Sequence, residues 1–216
     1  MRAIAGVVFA ASLAIVIALA GPLLLFNSWF VSFEQSRHGV AERLGTDPAT
    51  VDRVTGEILA DLFTGGEFLV SLDGNAPLLD ERARSHMRDV SGLVRSLALL
   101  VAVAGAALTV SALTMRHQRR RVGRLMLIGA GSVGAVAIAL AIVFAVAFDA
   151  AFLAFHRIFF PAGTFLFEPG SNLIWLFPEN FWFESALAAG AAIVVTAIIV
   201  ALVGWRLLSP RRILQG

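Results

Sequence analysis

The sequence predicts an all-α membrane protein with four transmembrane helices, a small extracytoplasmic cap and an aromatic, proline-rich outer loop. Of the 216 residues, 58% are hydrophobic and only 15% are charged, and the mean hydropathy is +0.83. A soluble domain has about a quarter of its residues charged. Four apolar stretches are each long enough to cross a bilayer as a helix, which requires about 20 residues. Composition and span length together therefore predict this fold class.

The four predicted spans divide the chain into seven segments. The apolar run of the first span is longer than the apolar part of a signal peptide, so we expect it to remain in the protein. Gly129, Gly131 and Gly134 on the third span predict a close approach of a neighbouring helix. The segments are span one (1–27), the cap with the helix that leads into span two (28–94), span two (95–115), a basic cytoplasmic loop (116–124), span three (125–148), an aromatic segment (149–184), and span four with its tail (185–216).

The placement of arginine predicts that both chain ends face the cytoplasm. The loop at 116–124 has five arginines and no acidic residue. Residues 27–95 have seven arginines against eleven acids, and residues 149–184 have one against four. Because arginine-rich short loops remain in the cytoplasm, the predicted topology is N-in and C-in with both long segments outside. The arginines near the termini that support this topology are Arg2, Arg206, Arg211 and Arg212.

One helix of the cap has clear start and stop signals. Asp47 followed by Pro48 is typical of an N-cap with proline at the first helical position. Aliphatic residues then recur at helical spacing until Gly65 and Gly66 end the pattern. We expect this face to pack against the rest of the cap. The residues of the face are Val51, Val54, Ile58 and Leu62.

The segment at 149–184 contains about half of the aromatic residues, with nine phenylalanines and two tryptophans. Pro161, Pro169 and Pro178 predict an irregular backbone, which at membrane depth must be satisfied by protein or water. Two interpretations remain open: an aromatic belt at the bilayer surface, or the wall of a groove for acyl chains. The residues that would line the groove are Phe152, Phe155, Phe159, Phe160, Trp175 and Trp182.

Two histidines are predicted to lie at one height, just outside the outer leaflet. His86 precedes the charged edge of span two by nine residues, and His156 follows Asp149 by seven. We expect the helices of spans two and three to extend past the membrane, in which case these separations correspond to ~13 Å and ~10 Å. Asp89 shares a helix face with His86 and can hold its imidazole in one tautomer, although a surface ion pair is the simpler interpretation. The other two histidines, which we expect to be solvated, are His38 and His117.

The residue inventory excludes several kinds of catalytic site. The chain has no cysteine, and it contains neither a G-x-S-x-G nor an H-E-x-x-H motif. Ser85 is adjacent to His86 in the sequence and therefore points from a different helix face. The two histidines with Asp89 or Asp149 could hold a zinc ion. The favoured interpretation is an acid–base pair in a reaction whose substrate supplies the nucleophile.

Three motifs on this pattern of spans resemble the lipoprotein intramolecular transacylase (Lit) family. They are HMRDV at 86–90, FHRIFF at 155–160 and FEPGSNLIWLFPENFW at 167–182. The resemblance covers essentially the whole chain. It implies a membrane acyltransferase that moves the sn-2 acyl chain of a diacylglyceryl-cysteine lipoprotein onto the α-amine of the same cysteine, which gives a lyso-form lipoprotein. It also implies that His86 and His156 are the catalytic residues.

The resemblance carries further expectations about the site and its partners. Asp89 would orient His86, Asp149 would support His156, and His156 is favoured as the base. The family pattern has a tryptophan near 165–167, where this chain has phenylalanine and leucine. We expect no cofactor and no metal, lipoproteins and membrane lipids as partners, no nucleic acid, a monomer, and an extracytoplasmic active site in a bacterial cell membrane. The alternatives are a non-catalytic lipid- or lipoprotein-binding accessory protein, a purely structural subunit, and a zinc-dependent membrane hydrolase.

Overall fold

The computed structural model describes residues 2–209, and this part of the chain is all-helical. Four of its helices, α1, α5, α6 and α9, are long and apolar enough to cross a membrane. The all-α class and the presence of four candidate spans are therefore confirmed. Arg211, Arg212 and the side chain of Arg2, which support the predicted topology, lie outside the described residues. The helices are α1 (Arg2–Leu24), α2 (Ser28–Arg37), α3 (Val40–Leu44), α4 (Pro48–Thr64), α5 (Glu81–Thr114), α6 (Arg119–Val146), α7 (Phe148–Phe159), α8 (Asn172–Leu176) and α9 (Glu179–Leu208).

Helix α5 is longer than a membrane span. Its 34 residues correspond to about 51 Å, whereas the hydrocarbon core of a bilayer is about 30 Å thick. The last charged residue of the helix is Arg95, and none follows from Ser96 to its end at Thr114. The part of α5 that is apolar enough to span a bilayer is therefore its C-terminal part, and residues 81–95 form the charged remainder of the helix.

The chain divides into two compact units, each with its own core. The first unit consists of Met1–Pro22, Leu99–Leu140 and Gly190–Gly216 and contains the apolar parts of the long helices. At most 28% of the most apolar stretch of each candidate span is buried within the protein. Outer faces of this kind are suited to contact with lipid. The buried residues of the first core are Phe9, Leu13, Ile17, Met115, Ala130 and Ala197.

Helices α6 and α9 approach each other closely at a pair of glycines. A Cβ atom at Gly123 would lie 2.7 Å from the Gly204 carbonyl oxygen, and one at Gly204 would lie 2.9 Å from that of Gly123. The glycines singled out from the sequence are less crowded. Cβ atoms at Gly129 and Gly134 would make ordinary contacts at 3.4 and 3.5 Å, and Gly131 has no neighbour within 4 Å. The prediction is wrong for Gly131 because that residue is on an exposed face of α6.

The second unit, Leu23–Ala98 and Ala141–Ala189, contains the short helices and the charged part of α5. Helix α4 begins as predicted, because the Asp47 side chain accepts a hydrogen bond from the Thr50 amide at 3.1 Å. It ends at Gly65, whose φ of 80° is in the left-handed region that favours glycine. The predicted apolar face of α4 is buried in the core of this unit, at Val51, Val54, Ile58 and Leu62.

The aromatic segment is more helical than its prolines suggest. Helix α6 ends at Val146, and Ala147, with φ −143° and ψ 47°, separates it from α7. His156 therefore lies on a separate helix, and the expectation that the helix of span three continues past the membrane to carry it is wrong. Helix α9 begins at Glu179 rather than at 185, since Pro178 is tolerated at a helix start but not inside one.

Candidate active site

The structure brings His86 and His156 together in the second unit. The centroids of the two imidazole rings are 6.0 Å apart, and the ring planes are inclined by 26°. His86 comes from the charged part of α5 and His156 from α7. His86 is only 6% exposed, whereas His156 is half-buried. One side of the pair is therefore enclosed by protein and the other remains open to a substrate.

Phenylalanine rings surround both imidazoles. The Phe160 ring lies 4.9 Å from that of His86 and 5.4 Å from that of His156, so that it contacts both members of the pair. Phe152, one turn before His156 on α7, has its ring centroid 4.1 Å away. Phe155 contacts His156 at 5.6 Å. Three of the six predicted groove residues therefore lie directly against the histidines.

The other three predicted groove residues lie farther from the pair. Phe159 packs on Phe155 at 4.8 Å, and Trp182 approaches Phe152 at 6.2 Å. Trp175 makes no aromatic contact among the described residues and is 36% exposed. Phe159 and Trp182 thus extend the aromatic surface outward, whereas Trp175 is not part of it.

Two phenylalanines outside the predicted groove set complete the surroundings of the histidines. The Phe165 ring lies 5.2 Å from that of His156, and the Phe167 ring lies 5.5 Å from that of His86. Both come from the loop between α7 and α8. The sequence offered one indication of their role, because they lie in the motif region where a tryptophan is expected. A phenylalanine there can form the same aromatic wall around the histidines.

Arg82 holds this loop against α5. Its guanidinium donates a hydrogen bond to the Gly163 carbonyl oxygen at 2.9 Å and lies 5.4 Å above the Phe167 ring. Arg82 precedes His86 by four residues, so both side chains point from the same face of α5. Gly163 has a φ of +85°, which glycine adopts without strain. One helix face therefore provides a histidine of the site and fixes the loop that covers it.

A backbone hydrogen bond determines the tautomer of His156. Its Nδ1 atom lies 2.8 Å from the carbonyl oxygen of Phe152. A carbonyl oxygen can only accept, so Nδ1 must carry the proton and donate it. The Nε2 atom of the neutral ring then has a free lone pair. His156 is thereby oriented as a proton acceptor.

Both histidines are biased toward the neutral form. The pKa of His86 is lowered from its ordinary value of 6.5 to about 4, first by burial and then by the proximity of His156, while Asp89 acts in the opposite direction. Burial also lowers the pKa of His156, while its hydrogen bond to Phe152 raises it. Two imidazoles that are neutral at pH 7 can accept and donate protons without first losing one.

The two carboxylates assigned to the histidines do not bind them. Asp89 is exposed, and the buried Nδ1 atom of His86 has no hydrogen-bond partner among the described residues. Asp149 is also exposed, and the Phe152 carbonyl takes the place expected for its carboxylate on His156. Neither histidine belongs to a group of three potential metal ligands within the described residues. Asp89 therefore acts on His86 through its charge alone.

The expectation that His38 is solvated is wrong, whereas His117 is exposed as predicted. The His38 side chain is only 12% exposed, and its Nε2 atom lies 3.8 Å from Glu34 Oε2 and 3.7 Å from Glu184 Oε1. The cause is tertiary: the end of α2 packs against the beginning of α9, which buries a side chain that follows an otherwise polar stretch.

Comparison with known proteins identifies the family. The family model described as lipoprotein intramolecular transacylase Lit matches residues 6–182, which include both His86 and His156. The chain belongs to the Lit family. It is therefore a member of a family of membrane acyltransferases. No curated protein sequence matches the chain.

Solved structures of a Lit protein share this fold. The membrane-integral lipoprotein intramolecular transacylase Lit from Bacillus cereus superposes with a TM-score of 0.85 at 18% identity, covering 96% of each chain. Two variants of that protein, with a histidine replaced by arginine or by alanine, each give a TM-score of 0.78 at 17% identity. They cover 96% of this chain and 92% and 94% of their own, respectively. This Lit family member thus has the Lit fold over nearly its whole length.

Proposed function

We propose that this Lit family member is an intramolecular transacylase that moves the sn-2 acyl chain of a diacylglyceryl-cysteine lipoprotein onto the α-amine of the same cysteine. The observation that supports this most strongly is the pair of imidazole rings 6.0 Å apart inside an aromatic wall. The chain has no cysteine that could act as nucleophile. A pair of neutral histidines suits a reaction in which the substrate's own amine attacks its own ester.

His156 is the general base of the proposed reaction. An α-amine with a pKa of about 8 is mostly protonated at neutral pH and must lose a proton before it can attack. The free Nε2 lone pair of His156 accepts a proton from the amine as the nitrogen attacks the ester carbonyl carbon. A carbon–nitrogen bond forms and the carbon–oxygen bond to glycerol breaks. The proton is then delivered to the glycerol oxygen, so the reaction neither consumes nor releases water.

His86 stabilises the negative charge that develops during this transfer. As a neutral imidazole it has one N–H group, which can donate a hydrogen bond to the carbonyl oxygen of the tetrahedral intermediate or to the departing glycerol oxygen. Such a donor is effective because the site is buried and the donor is held in place before the reaction begins. The low pKa of His86 makes a hydrogen-bond role more favourable than a cationic one.

The aromatic residues around the pair form the acyl-chain groove of the proposed enzyme. Phe155 and Phe159 are 40% and 48% exposed, and Ile158 beside them is 74% exposed. This surface is apolar, adjoins the histidines and suits an acyl chain. Binding the acyl chain here holds ester and amine near the same two imidazoles, and the resulting effective molarity replaces a protein nucleophile. We place the groove on the extracytoplasmic side, since His86 and the arginine-rich loop lie toward opposite ends of α5.

Mass spectrometry of a model lipoprotein tests the proposed activity. The protein is expressed with a diacylglyceryl-modified lipoprotein in bacterial cells that lack N-acylation, and the N-terminal lipopeptide is analysed. We expect one acyl chain on the cysteine amine and one on the glycerol, with no change in total acyl content. An unchanged diacylglyceryl form would favour the accessory-protein interpretation. Loss of one acyl chain as free fatty acid would favour a hydrolase.

A further inference from the structure

The second unit contains another group of ionisable side chains, built from residues that do not belong to the histidine pair. Glu34 lies on α2, His38 caps the C-terminus of that helix, and Glu184 lies near the beginning of α9. One nitrogen or oxygen atom from each residue can be chosen so that all three lie within 4.8 Å of one another. The exposed side-chain fractions are 6%, 12% and 28%, respectively. Ionisable groups from two helices thus converge at a mostly buried point.

Two atoms of this group lack the hydrogen bonds that buried polar atoms normally make. Glu34 Oε2 and His38 Nε2 are both buried and have no hydrogen-bond partner among the described residues. His38 Nε2 lies 3.8 Å from Glu34 Oε2 and 3.7 Å from Glu184 Oε1, which is too far for a hydrogen bond. Such orphaned groups are rare in proteins and call for a partner.

We propose that Glu34, His38 and Glu184 form a binding site for a divalent transition-metal cation of the Zn²⁺ class, in contrast to the expectation from the sequence that the protein binds no metal. One imidazole nitrogen with two carboxylate oxygens is a ligand set that Zn²⁺ accepts, and a fourth position then stays open to water. Bonds of about 2.0–2.2 Å in a tetrahedral arrangement place ligand atoms about 3.3–3.6 Å apart. The separations of 3.7 and 3.8 Å in the structure need to contract only slightly.

Arg37 is compatible with this site. Its guanidinium bonds to Glu184 Oε2, makes a longer contact of 3.5 Å to Glu184 Oε1 and lies 3.6 Å from Glu34 Oε2. Glu184 Oε1 is the oxygen nearer to His38. Carboxylates that bind a metal are commonly held by a second hydrogen bond from outside the ligand set, and Arg37 can provide that bond. The Arg37 side chain is 48% exposed, so solvent screens its charge.

Charge at the buried carboxylate also favours a cation. Two carboxylates, those of Glu34 and Glu184, converge there, and the Arg37 guanidinium that contacts both carries only one positive charge. A bound cation would link α2 to α9, and its role would be to stabilise the second unit.

Zinc titration of the full chain tests the site. Purified protein without a polyhistidine tag is treated with chelator, and zinc chloride is added. Bound zinc is then measured by elemental mass spectrometry and the melting temperature by thermal unfolding. We expect one zinc per chain and a higher melting temperature with zinc. His38→Ala and Glu184→Gln should each lower zinc affinity by at least tenfold and remove the thermal effect.

Matched variants distinguish a zinc site from an ion-pair network and from zinc bound at another histidine. His117→Ala removes an exposed histidine, and His86→Ala and His156→Ala alter the histidine pair; all three should still bind one zinc. Arg37→Gln should also retain zinc, because Arg37 is not a ligand. Wild-type protein that fails to saturate at one equivalent, or His38→Ala that binds zinc as the wild type does, overturns the proposal. If the wild type does not bind one equivalent of zinc, Arg37→Gln should destabilise the protein as much as Glu184→Gln does. That result would identify the group as an ion-pair network.

Discussion

At the scale of single residues, a backbone carbonyl decides how His156 can act. The Phe152 carbonyl oxygen lies 2.8 Å from His156 Nδ1, one helical turn away on α7. Because the carbonyl can only accept, the ring is held as the Nδ1–H tautomer and its Nε2 atom is free to take a proton. A carboxylate in that position would instead stabilise the cationic ring. The observed contact therefore fixes the tautomer, and burial, which lowers the pKa of His156, favours the neutral ring.

Replacing either member of the histidine pair should abolish most of the acyl transfer. His86→Ala and His156→Ala should each lower the transfer rate by about 10²–10⁴-fold, the typical contribution of one acid–base group. Membrane insertion should be little affected, since neither residue lies in the spanning part of a helix. The double variant should be hardly slower than the slower single variant, because the two groups act as one unit. Rates of lyso-form production, measured by mass spectrometry, check this expectation.

His117→Ala is the matched control for these variants, since His117 is exposed and lies on the arginine-rich loop. It should transfer acyl chains at the wild-type rate. His38→Ala does not serve as a neutral control, because His38 is part of the buried group with Glu34 and Glu184. Full lyso-form production by both His86→Ala and His156→Ala would leave the accessory-protein interpretation in place of the catalytic one.

The lowered pKa of His156 predicts the form of the pH–rate profile. A histidine whose pKa is lowered stays neutral as the pH falls through 6.5 and is protonated only at lower pH. Between about pH 8 and 6.5, transfer should decline only with the fraction of free amine on the substrate, about tenfold per unit. A second, steeper decline should begin below pH 6.5. A steepening at or above pH 6.5, in rates measured on detergent-solubilised protein, would contradict a neutral His156 base.

At the scale of helices and loops, α5 performs three tasks along its length. Its C-terminal part is apolar enough to span the membrane, and its N-terminal part contributes His86 and Arg82. Arg82 binds the Gly163 carbonyl and so holds the loop that carries Phe165 and Phe167 beside the histidines. The shape of the proposed groove thus depends on a contact between two segments about 80 residues apart.

Removing the Arg82 contact should impair transfer moderately without abolishing it. A hydrogen bond of this kind contributes about 0.5–1.5 kcal/mol, so Arg82→Ala should lower the transfer rate by about two- to tenfold. Limited proteolysis should then cut the loop around Gly163 faster. Arg82→Lys, which can still donate to the carbonyl, should recover part of both effects. Arg84→Ala is a suitable control because Arg84 pairs with Glu81 on its own helix. An Arg82→Ala protein with wild-type rate and proteolysis would argue against a positioning role.

At the scale of the whole molecule, the distribution of arginine predicts the orientation of the chain. The loop between α5 and α6 is rich in arginine, whereas the two long segments contain more acids than arginines. Because arginine-rich short loops remain in the cytoplasm, we expect an N-in and C-in topology with the histidine pair outside. That side is also where a lipid-modified lipoprotein presents its N-terminal cysteine in the proposed reaction.

Reporter fusions test this orientation. Fusions at Gly74 and after Phe167 should report an extracytoplasmic position, because both sites lie in the acid-rich segments. Fusions at Arg119 and at Gln215, the latter outside the described residues, should report the cytoplasm. Alkaline phosphatase and green fluorescent protein provide complementary readouts at each position. A cytoplasmic signal at Gly74 would reverse the orientation and remove the proposed site from its substrate.

The sequence by itself determined the properties that depend on residues close to one another along the chain. Span number follows from the length of apolar runs, because the bilayer requires about 20 consecutive apolar residues whatever the rest of the fold does. The limits of α4 follow from Asp47, Pro48 and Gly65, whose effects act within one turn. The two histidines were singled out because their spacing from the ends of spans two and three puts them at one height, and the motifs that contain them resemble those of the Lit family.

Only the tertiary structure decided which distant residues meet. Phe167 reaches His86 across the fold, and His38 lies against Glu184 although 146 positions separate them in the sequence. Local patterns cannot predict such contacts, because a histidine in a polar stretch of sequence is solvated or buried depending on whether a distant helix packs over it. The tautomer of His156 depends on a contact within α7, but it too is set by where a carbonyl oxygen lies to within tenths of an ångström. Hydrogen bonds and metal ligation are set at that precision, and packing in three dimensions determines it.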